Sequence, residues 1–136
     1  MNKDSPLLEA GERLLGQWAV NYLAPPGYRF PGQLAVTDRR VIFLGEAAAR
    51  TLQPLAVGAL ESTALAYALD LDAEHVAYTA PHLRITIPKA HIECASPDSL
   101  FLNNLVNLTL RNNGSLHIFE RALWPVAPLL HAIEAH

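Results

Sequence analysis

Cysteine is almost missing from this chain: Cys94 is the only one among 136 residues. No intramolecular disulfide can form, which suits a reducing compartment, and a cytoplasmic protein is the expectation. No uninterrupted apolar run approaches the roughly 20 residues that a membrane-spanning helix needs. The first twelve residues have neither a long apolar core nor a small-residue cleavage site, so no signal peptide is expected. Basic residues are also scarce. Ten Lys and Arg against thirteen Asp and Glu give a formal net charge of -3. That balance argues against a general nucleic-acid binder, which must neutralise phosphates with a basic surface.

The motifs of common catalytic chemistry are missing as well. There is no Gly-rich phosphate loop, no nucleophile elbow and no His-Glu-x-x-His helix, so no enzyme, catalytic residue or cofactor is expected. His91 and Cys94 lie three apart, but structural zinc takes four ligands in short pairs and no second pair follows. Asp70, Asp72 and Glu74 lack the central glycine and closing glutamate of a calcium loop. No metal site is therefore expected, and the acidic run reads as a solvated turn.

What is present is a 51% apolar composition with only 17% charged residues, enough for one ordered domain over residues 1–136. Period-2 alternation marks strands along most of it. Trp18, Val20 and Tyr22 share one face of a strand over Leu15 to Leu23. Gly32 to Leu44 reads as two strands around the polar turn Thr37-Asp38-Arg39-Arg40, the second apolar on both faces. Leu83, Ile85 and Ile87 mark another strand, stopped by Pro88. A short strand over Ile92 to Cys94 and the alternation of Val106, Leu108 and Leu110 follow. Asn112-Asn113-Gly114 is a hairpin signal, since these residues tolerate the positive φ of tight turns. On the return strand Leu116 and Ile118 are expected inside and His117 in solvent.

Two stretches have helical spacing. Val126, Leu129, Leu130 and Ile133 form a stripe on a helix from about Trp124 to Ala135, with Pro125 in its first turn. Between residues 46 and 80, Leu60, Ala64, Leu65 and Leu69 suggest a second helix in an Ala/Leu-rich segment.

These features resemble the GRAM and bacterial PH-like domain family. Gly11-Glu12 precedes the first strand. Leu34, Thr37, Arg40 and Phe43 follow the family's hairpin pattern, and Ile87-Pro88 and Ile92 follow its next strand. The resemblance implies a mainly β fold: a seven-stranded, curved, nearly closed antiparallel barrel capped by a C-terminal helix. Residues 46–80 then form a helical insertion between the third and fourth strands. It also implies a binding module and not an enzyme.

Two roles compete. One is a protein-interaction or self-assembly module, with a protein partner or a second copy on the insertion and the strand edges. The other is a peripheral adaptor on anionic membrane lipid. Its ligand-binding residues would be Tyr28, Arg29 and Phe30 in the loop Ala24 to Pro31, with Arg39 and Arg40, whose guanidinium forks suit phosphate. Against that, Arg39 and Arg40 also read as ordinary turn residues, solvated or paired with Asp38 or Glu46. The negative charge balance favours the protein-interaction role.

Overall fold

The computed structural model describes residues 8–24, 28–46, 74–79, 81–100, 103–111, 116–122 and 125–135. Eight antiparallel strands form one sheet: β1 (Leu14–Ala24), β2 (Tyr28–Thr37), β3 (Arg40–Glu46), β4 (Val76–Thr79), β5 (His82–Pro88), β6 (Ile92–Leu100), β7 (Asn103–Leu110) and β8 (Leu116–Ala122). Their order is β4-β5-β3-β2-β1-β8-β7-β6. Among the described residues no ladder joins β4 to β6, so the sheet is open. One helix, α1 (Ala127–Glu134), closes the described chain, and a 3-10 turn (Lys89–His91) links β5 to β6.

The alternation read from the sequence fixes the inner face. Val20, Tyr22, Leu34, Val36, Val41, Phe43, Leu83, Ile85, Ile87, Val106 and Leu108 are all buried in one core cluster. Burying a large apolar side chain contributes about 1.5–3 kcal/mol, so this face is the main source of stability. Val41, Ile42 and Phe43 are consecutive and all buried, which agrees with a strand covered on both faces. Gly32 and Gly45 stand opposite each other on β2 and β3 because the Phe43 ring occupies the space beneath both. A Cβ at Gly45 would meet that ring at 2.5 Å.

The helix packs against β1, β2 and β6 and buries Leu129, Ala132 and Ile133 in the same core. Pro128 is accommodated because it falls in the first turn, whose amides have no partner within the helix. At the other end Lys89 Nζ donates to the carbonyls of Ala132, at 2.8 Å, and Ala135. A cation there satisfies carbonyls left open by the helix and complements its dipole.

The structure corrects the sequence reading in three places. Among the described residues there are eight strands, not seven, because Val76–Thr79 pairs with β5 inside the segment taken as an insertion. The helix expected there over Leu60 to Leu69 lies outside the described residues. Tyr28 to Pro31 are strand, not loop, paired with Ala24 to Asn21. Pro31 is tolerated because the β2–β3 ladder starts one residue later, at Gly32, so one side of its backbone has no ladder to satisfy. Finally, β8 presents the opposite face: His117 and Phe119 are buried, whereas Leu116 is 50% exposed.

Ladder lengths differ across the sheet. β1 pairs with β2 at ten positions but with β8 at only three, Asn21↔Glu120, Tyr22↔Phe119 and Leu23↔Ile118. Among the described residues no helix is long and apolar enough to cross a membrane.

Candidate binding groove and polar clusters

The residues of the hairpin motif converge on one buried ionic knot. Thr37 Oγ1 accepts from the backbone N–H of Arg39 (3.0 Å) and Arg40 (2.8 Å), which holds the turn. The same hydroxyl donates to Glu12 Oε2 at 2.7 Å. Arg40 Nε donates to that oxygen at 2.8 Å, its Nη2 binds Oε1, and the Glu9 amide donates to Oε1 at 2.9 Å. The fork of Arg40 lowers the Glu12 carboxyl to about 2, against a burial effect that would raise it, with help from Thr37 and Glu9. In return Glu12 raises the Arg40 pKa. Around the knot, Asp38 exchanges hydrogen bonds with Arg13, and Arg39 Nη1 donates to the Ala10 carbonyl at 3.1 Å. Gly11 sits there at φ 77°, a left-handed conformation that costs glycine little. Arg40 thus pairs with Glu12 and, at 3.7 Å, with Glu9.

The other expected site residues separate. Phe30 is 1% exposed and belongs to the core, so it is not available for insertion into a membrane. Half-buried Tyr28 stacks on it with ring centroids 6.1 Å apart and planes 4° from parallel. Arg29, on the opposite face of β2, is about half exposed and binds Glu120 of β8 at 3.2 Å. Glu120 also accepts from Asn21 Nδ2 (3.2 Å) and Asn103 Nδ2 (2.7 Å). Burial alone would raise its pKa, but these donors and the Arg29 charge together lower it. The structure therefore does not bring the five expected residues into one site. Arg39 and Arg40 hold the turn, and Arg29 holds a carboxylate.

A groove of about 920 Å³ crosses the outer face of β5, β3, β2, β1 and β8. Its floor is Ala19, Pro31, Gly32, Leu44 and Gly45, and its polar wall includes Asn21, Gln33, Glu46, His82, Arg84 and Glu120. Spanning four inter-strand steps of about 4.8 Å, it is roughly 19 Å across. Apolar floor with a few convergent polar groups is the general composition of a binding site.

A second polar arrangement runs from the core to the surface. The hydroxyl of fully buried Tyr22 and His117 Nδ1 share a hydrogen bond of 2.8 Å. The His117 ring lies 6.4 Å from that of His75, which in turn meets His91 edge-on at 5.2 Å. His75 Nε2 and His91 Nδ1 share a hydrogen bond of 2.9 Å. Glu74 offers a carboxylate oxygen within 4.8 Å of both these histidines' ring nitrogens. The backbone of both histidines is fixed: the His75 carbonyl accepts from Thr86 N at 2.9 Å, and the His91 carbonyl from Arg111 N at 2.8 Å.

Sequence reasoning missed the groove residues because a groove depends on register, which alternation alone does not supply. Glu120 carried one usable signal, an acidic residue inside a strand pattern, where an ionised group needs partners if buried. His75 and His91 carried none, since the edges that bring them together are the two ends of the sheet. Compared with family models, curated proteins and solved structures, the chain matches none.

Proposed function

We propose that this chain is a non-enzymatic binding module on a PH-like scaffold, and that its outer groove takes an extended segment of a protein partner, a second copy of the chain included. The observation that carries this is the groove itself: a polar-walled, apolar-floored channel across five strands. A width of roughly 19 Å matches about six residues of extended chain at ~3.3 Å each. The scaffold reading is supported by the convergence of Glu12, Thr37 and Arg40 into one knot and by the packing of the C-terminal helix on the inner face of the sheet. Glu120, the buried carboxylate of the groove, is held ionised by three side chains, which suits it to positioning and not to donating a proton near neutral pH. An exposed lone Cys94 is compatible with work in the cytoplasm.

The lipid alternative has less support. Each arginine it requires is already engaged, Arg40 with Glu12, Arg29 with Glu120 and Arg39 with the Ala10 carbonyl. Releasing them would cost part of the fold's own polar network.

A photo-crosslinking residue at Gln33, with Glu93 on β6 as control, tests the groove. The expected result is a defined protein adduct, by mass spectrometry, at Gln33 and not at Glu93, abolished by Ala19→Arg. Equal labelling at both positions overturns the groove reading. Salt-sensitive co-sedimentation with anionic phosphatidylserine vesicles, lost in Arg29→Ala, favours the lipid reading instead.

A further inference from the structure

We propose that Glu74, His75 and His91 form a divalent transition-metal site of the zinc class that bridges the two open edges of the sheet. The inference is independent of the groove. Glu74 and His75 lead directly into β4, one edge strand, and His91 leads directly into β6, the other. The three side chains present their donor atoms within 4.8 Å of one another, across the seam that no ladder closes.

The donor set and its geometry both suit zinc. Two imidazole nitrogens and one carboxylate oxygen, with a further position open to water, is a recurrent three-ligand zinc arrangement. A tetrahedral ion at about 2.1 Å from each donor holds the donors roughly 3.4 Å apart. The His75 and His91 nitrogens stand at 2.9 Å, so they need part by only about 0.5 Å. The carboxylate lies within 4.8 Å and must swing in by at most about 1.4 Å, which rotation of an exposed glutamate supplies. The Thr86 and Arg111 amides hold both histidine carbonyls, so the adjustment falls to rotation of the side chains.

The site is also reachable. Glu74 is exposed and His91 half-buried, while His75 is buried behind them against the His117 ring. Metal would replace a proton shared by the two histidines with an ion bound to both. Its mechanical effect is to tie β4 to β6, which no ladder joins among the described residues.

The test is titration of the chelator-treated full chain with zinc chloride against a chromophoric competitor, with cobalt chloride as a spectroscopic probe. One site tighter than ~10 µM is expected, with a visible cobalt absorption of a low-coordinate ion. Loss of a residue that merely orients a ligand weakens metal binding by about 10–100-fold, so loss of a ligand should do at least as much. His91→Ala is therefore expected to weaken binding ~100-fold and Glu74→Gln ~10-fold. Glu74 is exposed and His91 half-buried, and circular dichroism checks that each variant folds. His131→Ala, on the helix, should leave affinity unchanged. Zinc should raise the melting midpoint of the native chain and not that of His91→Ala. Affinity weaker than ~100 µM, or within about threefold of the native chain in either ligand variant, overturns the site.

Discussion

Replacing Glu12 by Gln isolates the charge of the buried knot from its packing, since the two side chains have nearly the same shape. With Glu12, one carboxylate accepts from Arg40, Thr37 and the Glu9 amide. With Gln, one end becomes an NH2 group facing donors, and Arg40, only 12% exposed, loses its counter-charge. The carboxyl is lowered from 4.5 to about 2, chiefly by the Arg40 hydrogen bonds. That gap corresponds to a ceiling of about 3 kcal/mol at neutral pH. Water reaching the rim through exposed Glu9 and Arg39 screens part of it, leaving about 2 kcal/mol. Because folding depresses this pKa, the contribution is complete above the unfolded value of 4.5 and fades as pH falls toward 2. Urea unfolding of both proteins from pH 7 down to about 2.5 reads this directly. The native chain should be about 2 kcal/mol more stable at pH 7, and the two stability curves should converge in acid. A gap that stays constant with pH, or widens as pH falls, refutes the electrostatic account.

Three further outcomes follow from other contacts. Gly45→Ala should destabilise by about 1–3 kcal/mol in the same unfolding assay, because its Cβ would meet the Phe43 ring and the Pro31 carbonyl. Tyr22→Phe removes a buried 2.8 Å bond to His117 and should cost about 1–2 kcal/mol, with a near-neutral effect counting against that bond. A double-mutant cycle of Arg29→Ala with Glu120→Ala should give a coupling of only about 0.5–1 kcal/mol, since Arg29 is half exposed. Coupling well above that would mean the pair is shielded from solvent more than its geometry indicates.

Much of the fold was legible because one face of the sheet is buried, which imposes period-2 alternation. Trp18, Val20 and Tyr22, and Leu83, Ile85 and Ile87, could be assigned to that face from spacing alone. β8 defeated the same rule. Leu116 and Ile118 look like the inner pair, yet pairing Val106 with Phe119 and Leu108 with His117 keeps large inner residues opposite one another. The hydroxyl of Tyr22 then makes an inward His117 tolerable. A single residue of register inverts both faces, and the Tyr22 partnership that favours this one comes from 95 residues away. β4 was hidden for a different reason: four residues are too few for periodicity to stand out beside an Ala/Leu-rich segment. Of the expected binding residues, Arg39 and Arg40 were correctly legible as turn formers. Their partner was not, because Glu12 lies 28 residues from Arg40. The histidine cluster was out of reach, since it needs both edges of the sheet at once.

The narrow junction between β1 and β8 bears on the order in which the chain can fold. Closing a loop costs about 0.6 kcal/mol more for each doubling of its length. The β1–β2 hairpin brings together residues near in sequence and is rewarded at ten paired positions, whereas Asn21 and Glu120 are 99 residues apart and their ladder has three. The N-terminal strands and the β6–β7–β8 meander can therefore each gain most of their pairing before meeting. Their union is late and held by few backbone bonds, so the amides that bond β1 to β8 should exchange with solvent before those that bond β1 to β2. Tyr22, Phe119 and the carboxylate of Glu120 then act as the latch that turns two early-formed pieces into one sheet.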